Sequence, residues 1–214
     1  MNRHALVFFA AALLMNVPAT HAAPASAPAA APATVAKIGS PAPDFTLVDS
    51  NGKSHSLSSF KGKTVVLEWF NKGCPYVQKH YKSSNMQALQ KKYTDQGVVW
   101  LTIISSAEGK QGFETAADAG KTRGEWKIAS TATLLDPKGE VGDKLYKAKT
   151  TPHMYVIDAK GTLVYNGAID SISSSDPADI PKSENYVASA LDLVAAGKAV
   201  KTATTKPYGC SVKY

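Results

Sequence analysis

The sequence predicts an α/β protein in which a central sheet lies between layers of helix, and three observations support this class. Two apolar runs, VVLEWF and GVVWLTIIS, are almost continuously hydrophobic, as is typical of strands buried on both faces. Segments with helical spacing of apolar residues follow them. A later stretch, TTPHMYVIDAKGTLVYNGAI, contains two alternating runs across a turn and precedes another helical segment. This order of elements indicates a three-layer α/β arrangement.

The amino-terminal segment is not expected to belong to the folded domain. Arg3 and His4 precede an apolar run at 5–15 that is too short to cross a bilayer of about 30 Å, and small residues that suit cleavage follow. Residues 1–22 are therefore predicted to be a secretory signal peptide. Residues 23–36, rich in alanine and proline, are predicted to be an extended linker. The domain then spans 37–200 and a tail spans 201–214.

The composition argues against nucleic acid as a partner. The 24 lysines and arginines outnumber the 17 acidic residues and give a net charge of +7, but the lysines are scattered without interleaved aromatic residues. No run after the signal peptide has the length of a membrane span. The chain has two cysteines, which can form a disulfide in an exported protein. Their number and spacing do not indicate a metal site.

The first half of the domain begins with a predicted hairpin around the Asn-Gly pair at 51–52. The buried strand at 65–70 follows and leads into a helix that begins at Pro75. Ser84, followed three residues later by Gln87, forms a capping-box pattern. This pattern predicts that the helix kinks or restarts at Ser84.

The middle of the domain starts with the strand predicted at 97–105. The segment 108–127 is predicted to be loop and amphipathic helix. Its apolar members are Phe113, Ala116, Ala117 and Trp126. A short strand at 132–136 and a short helix at 140–147 are predicted next.

The last part of the domain is predicted to be a hairpin and a helix. The hairpin, at 150–169, turns at Asp-Ala-Lys-Gly. The helix, at 183–197, has Ser183 as its candidate cap and Gly197 as its stop. The remaining residues, including Cys210, are expected to form an exposed, flexible tail.

Cys74 is the candidate nucleophile. It lies between Gly73 and Pro75, at the end of a strand and the start of a helix, where unpaired backbone N–H groups and the helix dipole favour negative charge. A cysteine in such a position has a thiol pKa lowered from ~8.5 to about 3.5–7.5, and the thiolate is the reactive form. The alternative is a buried structural cysteine.

These residues resemble the thioredoxin fold, and the upstream segment from Ile38 resembles the AhpC/TSA redoxin branch of peroxiredoxin-like and TlpA-like proteins. VVLEWFNKGCPYV matches the active-site segment, with Cys74 at the first position of Cys-x-x-Cys and Val77 at the second. The resemblance covers most of 38–168. It implies a thioredoxin-like three-layer sandwich with a central mixed β-sheet flanked by helices. It also implies a cis bond between Thr151 and Pro152, close to Cys74.

The resemblance assigns roles to the surrounding residues. Glu68 would lie beneath the thiol with a raised pKa and exchange protons, although it can equally be a buried group satisfied by Lys63 or backbone. The Thr151 backbone beside Pro152 would be free to pair with a substrate strand. Trp69, Phe70 and Tyr76 are expected to pack around the site. His80 is expected at the surface, and an approach of His153 to the thiol is a minor alternative.

Val77 stands where the family's second cysteine would be, so another thiol must resolve a disulfide formed at Cys74. Cys210 is the other cysteine of the chain. Its alternative roles are a static staple, which would close a loop of well over 100 residues and constrain the unfolded chain by about 5 kcal/mol, and a lone or intermolecular thiol.

The peroxiredoxin signature Pro-x-x-x-Thr-x-x-Cys is incomplete. Leu67 and Asn71 stand at the proline and threonine positions, and Arg123 lies in the predicted helical insert. Asn71 can still donate a hydrogen bond and, with Pro75, is a candidate substrate-binding residue. Thiol–disulfide exchange is therefore expected in preference to efficient peroxide reduction.

The sequence thus predicts an exported, periplasmic thiol–disulfide oxidoreductase that needs no cofactor. Its partners would be protein or small-molecule disulfides or peroxides, together with a thiol reductant. The alternatives are a thiol peroxidase and a non-catalytic binding module with a permanent Cys74–Cys210 disulfide. Copper delivery is a weaker alternative because the second nearby cysteine is absent.

Overall fold

Seven of the strands form one mixed sheet. A computed structural model describes Met1 and residues 34–214, so residues 2–22 of the predicted signal peptide and 23–33 of the predicted linker lie outside the described residues. The strands are β1 Thr46–Asp49, β2 Ser54–Ser56, β3 Val65–Trp69, β4 Val99–Ile104, β5 Ala132–Leu135, β6 Thr150–Thr151, β7 His153–Ile157, β8 Leu163–Gly167 and β9 Cys210–Ser211. The order in the large sheet is β2-β1-β5-β4-β3-β7-β8, and β6 pairs with β9 separately.

The sheet is mixed because β3 is parallel to β4 and antiparallel to β7. The hairpins predicted at Asn51-Gly52 and across 158–161 are both present, as β1–β2 and β7–β8. The helices are α1 Pro75–Lys82, α2 Asn85–Thr94, α3 Ala116–Glu125 and α4 Tyr186–Ala195. Two 3-10 turns, Leu57–Phe60 and Pro177–Lys182, and a π-helical turn, Gly142–Tyr146, complete the described elements. No helix in the described part of the chain is long and apolar enough to span a membrane.

The two faces of the sheet carry two separate cores. Val66, Phe70 and Met154 belong to the core that also contains Cys74 and residues of α1, α2 and α4. Leu67 and Trp69, their neighbours along β3, belong to the other core. Successive side chains of a strand point to opposite faces, and β3 is buried on both of them. The continuous apolar run in the sequence follows from this double burial.

The helix restart at Ser84 is confirmed, but the predicted capping box is wrong. Ser84 precedes α2 with a left-handed φ of 61°, and its side chain makes no capping hydrogen bond. A capping serine normally has extended backbone geometry, which the tight reversal between α1 and α2 does not allow here. Gln87 instead donates to the carbonyl oxygens of Tyr81 and Trp126.

Two other local predictions need correction. The cap of α4 is Asn185, whose Oδ1 accepts from the amide of Ala188 at 2.9 Å, whereas Ser183 lies two residues too early. In α3, Ala116 and Ala117 are exposed. The buried residues of α3 are Ala119 and Thr122. The helix is short and its small residues make the apolar face ambiguous from spacing alone.

Candidate active site

Cys74 caps α1 and is fully buried. Its backbone is extended, with φ −84° and ψ 121°, and Pro75 occupies the first helical position, as predicted. The residue has 0% exposure. Its Sγ donates to the carbonyl oxygen of Thr151 at 3.0 Å. The thiol therefore lies at a helix start, where charge is stabilised, and in direct contact with the residue that precedes Pro152.

The bond between Thr151 and Pro152 is cis. The prediction that the Thr151 backbone is free is wrong. Thr151 is paired with Cys210 in the antiparallel β6–β9 ladder. Gly209 allows this close approach. A Cβ at Gly209 would lie 2.1 Å from the Thr151 carbonyl oxygen, and the φ of +136° is one that other residues rarely adopt. The two cysteines of the chain thus meet at Thr151.

The surroundings push the pKa values of the two thiols in opposite directions. Burial raises the pKa of Cys74, but hydrogen bonds from the Cys210 thiol, from Thr151 and from the amides of Cys210 and Val77 outweigh burial and lower it. Burial, together with the hydrogen bond to Cys74 and its charge, raises the pKa of Cys210 to about 11. Of the two thiols, Cys74 is therefore the one that loses its proton first as the pH rises.

The Thr151 hydroxyl is one of the donors available to Cys74. Its Oγ1 is buried without a hydrogen-bond partner among the described residues, and the Thr151 side chain lies close enough to Cys74 to lower the pKa of that thiol. A buried hydroxyl without a partner costs free energy, and an ionised sulfur beside it removes that cost. Thr151 therefore contributes both its backbone and its side chain to the site.

Glu68 lies fully buried in β3, on the face opposite to that of its neighbours Leu67 and Trp69. Its carboxylate accepts hydrogen bonds from the side chains of Tyr81, Gln90, Trp100 and Thr102. Burial raises the pKa of Glu68, although these four donors act in the opposite direction. The partners are side chains of α1, α2 and β4, not Lys63 or backbone.

Asn71 shapes the loop between β3 and α1. Its Oδ1 accepts from the amide of Gly73 at 2.8 Å, and its Nδ2 donates to the carbonyl oxygen of Gln111 at 3.1 Å. The carbonyl of Asn71 also accepts from the amide of Cys74 at 3.0 Å. Asn71 is therefore bound to the loop that presents the thiol. Pro75 is exposed next to it.

The prediction for His80 is wrong, and the minor alternative for His153 is not realised. His80 is fully buried, with Nδ1 2.9 Å from Nδ2 of Asn85. His153 bonds Asn166 and Tyr155 and packs on the Tyr155 ring. Tyr155 belongs to the core opposite to that of Cys74. Burial lowers the pKa of each histidine to about 4.

An ion pair that the sequence analysis missed joins α1 to the C-terminal segment. The ammonium of Lys79, fully buried, lies 3.3 Å from Oδ2 of Asp170. The other carboxylate oxygen of Asp170 accepts from the hydroxyl of Tyr208. Tyr208 packs edge-on against Tyr76, the second residue of α1, with ring centroids 5.8 Å apart. The one sequence signal for this ion pair is Asp170 itself, an aspartate directly after the predicted hairpin.

The predicted flexible tail is a docked segment, here named the C-terminal strap, residues 203–214. Besides β9 and Tyr208, its hydrogen bonds reach four other parts of the domain. They join Thr205 to Ala168, Val212 to Lys149, Lys213 to Ala107 and Tyr214 to Ala148. The apolar pattern of a short tail does not reveal such anchoring, since most of these bonds use backbone groups.

Two of the residues at the peroxiredoxin positions, Leu67 and Arg123, are engaged away from the thiol. Leu67 is buried in the core on the other face of the sheet from Cys74. Arg123 donates to the hydroxyls of Ser130 and Thr133 and to the carbonyl of Ser130, at the start of β5. Arg123 is thus committed to the α3–β5 connection.

Comparisons with known proteins agree with this fold. A model described as the AhpC/TSA family matches residues 38–166. The thiol-disulfide oxidoreductase ResA of Geobacillus kaustophilus (strain HTA426) is 36% identical over 128 residues, 60% of this chain and 67% of ResA. The thioredoxin-like protein YneN of Bacillus subtilis (strain 168) is 29% identical over 126 residues, 58% of this chain and 68% of YneN. A crystal structure of a hypothetical protein from Sinorhizobium meliloti 1021 has the same fold, with a TM-score of 0.70, 24% identity and coverage of 85% of this chain and 97% of that one.

Proposed function

Because the chain belongs to the AhpC/TSA family, whose model matches residues 38–166, we propose that it is an exported thiol–disulfide oxidoreductase in which Cys74 is the nucleophile and Cys210 the resolving thiol. The family relationship supports thiol oxidoreductase chemistry and the thioredoxin-like fold. The assignment of the two cysteines rests on their own geometry. Export is proposed from the signal-peptide pattern of residues 1–22.

The observation that carries the proposal is the meeting of the two cysteines at Thr151. The Sγ of Cys74 is 3.0 Å from the Thr151 carbonyl, and Cys210 is paired with Thr151 in the β6–β9 ladder. The pKa of Cys74 is lowered and that of Cys210 is raised to about 11. This difference supports Cys74 as the thiol that ionises first and Cys210 as the thiol that keeps its proton longer.

In the first step, the Cys74 thiolate attacks one sulfur of a substrate disulfide. The substrate S–S bond breaks, one substrate thiolate leaves, and a mixed disulfide forms on Cys74. In the second step, Cys210 gives its proton to the substrate thiolate released in the first step. The Cys210 sulfur then attacks the Cys74 sulfur. The second substrate thiolate leaves and takes up a proton from solvent. The substrate disulfide is then reduced to two thiols, and the protein is oxidised to the Cys74–Cys210 disulfide, which an external dithiol reduces.

Thr151, Asn71, Pro75 and Pro152 are proposed to position these groups. Thr151 offers its hydroxyl to the Cys74 thiolate, and Asn71 fixes the loop that carries it. Pro75 follows Cys74 at the start of α1, and Pro152 follows Thr151, whose carbonyl the thiol contacts. Glu68 is proposed as a buried proton acceptor near the site, since burial raises the pKa of its carboxyl and its partners are Tyr81 and three other side chains.

The test is a single-turnover oxidation of the reduced protein. Hydroxyethyl disulfide and hydrogen peroxide are used separately, and the reaction is stopped with an alkylating reagent for intact-mass analysis. We expect both thiols to disappear together with hydroxyethyl disulfide and more slowly with peroxide. Cys210→Ser should stop at a mixed disulfide on Cys74, and Cys74→Ser should not react.

Two results would contradict the proposal. One is a Cys74→Ser protein that reacts as fast as the wild type. The other is a Cys74–Cys210 disulfide that resists millimolar dithiothreitol, which is the behaviour expected of a binding module with a static staple.

A further inference from the structure

The C-terminal strap occupies the backbone edge at which a polypeptide substrate would pair, and we infer that it restricts the site to low-molecular-weight disulfides and excludes polypeptide disulfides. This inference rests on the proposed role of Cys74 as the nucleophile. It concerns the size of the substrate, which the identity of the two cysteines leaves open.

The first argument is the occupancy of the edge beside Pro152. An extended polypeptide binds a free strand edge through main-chain hydrogen bonds. Here the edge at β6 is filled by β9, with Thr150 opposite Ser211 and Thr151 opposite Cys210. A polypeptide that is to present its disulfide along this edge must first remove the strap.

The second argument is the close fit of the strap over the thiol. Gly209 lies so near the Thr151 carbonyl that a Cβ would come within 2.1 Å of the oxygen. Cys74, beneath it, has 0% exposure. A small disulfide needs only a local opening that admits one sulfur atom, whereas a polypeptide needs the length of the edge.

The third argument is the number of independent anchors on the strap. Upstream of β9, Tyr208 donates to Asp170, whose carboxylate is paired with the buried Lys79. Further upstream, the hydroxyl of Thr205 accepts from the amide of Ala168 at 2.9 Å. A Cβ at Gly167 would lie 2.1 Å from that hydroxyl, so the strap also fits closely there.

On the other side of β9, the amide of Val212 donates to Lys149 at 3.1 Å, and the amide of Ala107 donates to Lys213 at 2.7 Å. The hydroxyl of Tyr214 donates to Ala148 at 2.9 Å. The strap is thus fixed both before and after the cysteine. Its removal requires the loss of all these bonds, so it acts as a specificity-determining element and not as a loose cover.

The experiment compares two oxidants of the reduced, full-length protein. Hydroxyethyl disulfide is the small probe and insulin is the polypeptide probe. The loss of the free Cys74 thiol is followed by alkylation and peptide mass. Each rate is divided by the rate of the same oxidant with free dithiothreitol, so that the intrinsic reactivity of the disulfides cancels.

For the wild type, we expect the normalised rate with insulin to be at least about tenfold lower than that with hydroxyethyl disulfide, the factor that corresponds to one or two hydrogen bonds of the strap. Gly209→Ala, which displaces the strap from Thr151, should raise the insulin-to-small-disulfide ratio by about the same factor. Gly52→Ala is the matched control, because Gly52 also has a positive φ but no atom within 4 Å of the added Cβ. It should leave the ratio unchanged.

Tyr208→Phe is the second variant, for the case that Gly209→Ala does not fold. It removes the hydrogen bond to Asp170, keeps the ring on Tyr76, and should move the ratio in the same direction. Equal normalised rates for the two probes in the wild type would overturn the inference. So would a ratio that neither variant changes. A wild-type protein that reacts with neither probe contradicts the proposed function itself, so the two failures are distinct.

Discussion

Cys210 is the antiparallel strand partner of Thr151. The carbonyl oxygen of the same Thr151 accepts a hydrogen bond from the Sγ of Cys74 at 3.0 Å. Thr151 therefore contacts both cysteines, which lie far apart in the sequence. The pKa of Cys74 depends on groups that this arrangement supplies, namely the Cys210 thiol and amide and the side chain of Thr151. The predictions below follow from this dependence and from the buried charges around it.

Replacement of Thr151 by valine should raise the pKa of Cys74. Valine keeps the shape of the side chain but removes the hydroxyl that stabilises the thiolate. A hydrogen bond to a charged group is worth about 1.5–3 kcal/mol, so its loss should lower the ionised fraction of Cys74 at a fixed pH below its pKa roughly tenfold or more. The pH profile of alkylation measures the shift. Thr150→Val is the control, since the Thr150 hydroxyl bonds the Pro152 carbonyl instead, and an equal shift in both variants would refute the assignment.

Removal of the Cys210 thiol should make Cys74 less reactive at pH 6–7, not more. Among the groups that lower the pKa of Cys74, the Cys210 side chain is the largest contributor. Cys210→Ala loses this donor, so a smaller fraction of Cys74 is ionised at a given pH and alkylation slows. Cys210→Ser retains a hydroxyl donor and should recover part of the rate. Faster alkylation of Cys74 in the alanine variant would be incompatible with the hydrogen bond.

Asp170→Ala should destabilise the protein by about 3–5 kcal/mol, because it leaves the buried ammonium of Lys79 without its counter-ion. The free energy of unfolding in urea measures this loss. Adding Lys79→Met removes the unpaired charge and should restore part of the stability. Asp95→Ala is the control, since its pair with Lys91 is exposed and is worth about 0–1 kcal/mol. Strictly additive effects of the two substitutions would argue against a coupled pair.

Acidification should destabilise the protein between pH 6.5 and about 4 through His80 and His153. In the folded state burial lowers the pKa of each to about 4, while the unfolded chain binds protons below 6.5. The unfolded state thus binds more protons in this window. As the pH falls through it, the free energy of unfolding decreases by up to roughly 3 kcal/mol for each histidine. His80→Gln should remove its share of this dependence, as measured by urea unfolding at several pH values. An unchanged difference between variant and wild type across the window would contradict the prediction.

Glu68 should contribute a pH dependence of the opposite sign. Burial raises the pKa of its carboxyl above the usual 4.5. Above pH 4.5 the folded state keeps a proton that the unfolded state releases, so this contribution to stability falls as pH rises towards the raised pKa. Glu68→Gln, which does not titrate, should therefore gain stability relative to the wild type over that range. Glu125→Gln, on the exposed end of α3, is the control. A difference in unfolding free energy between Glu68→Gln and the wild type that stays constant with pH would exclude a titrating Glu68.

Much of the fold follows from local patterns. The run VVLEWF predicts a strand buried on both faces, and Asn51-Gly52 predicts the hairpin between β1 and β2. Pro75 directly after Cys74 predicts a helix start, which α1 confirms. These signals are readable because burial, turn geometry and the proline ring act on residues that are adjacent in the sequence.

The local predictions that failed concern polar residues whose partners are distant. His80 is predicted at the surface because it lies six residues after Cys74, a spacing that does not share one helix face. Asp170, 90 positions further on, provides the charge beside which His80 is buried. Ser84 matches a capping motif, but its left-handed backbone is set by the reversal between two packed helices. Composition does not encode such partners.

The sequence by itself determined the succession of strands and helices along the β–α–β core, the helix start at Cys74 and the absence of a vicinal second cysteine. Only the tertiary structure decided that the C-terminal segment is docked and that Cys210 pairs with Thr151. The physical reason is that the strap is held by backbone hydrogen bonds and by the Tyr208–Asp170–Lys79 contacts, whose partners lie in other elements of the fold. Backbone groups are the same at every residue, so their pairing is fixed by the assembled fold and not by side-chain pattern.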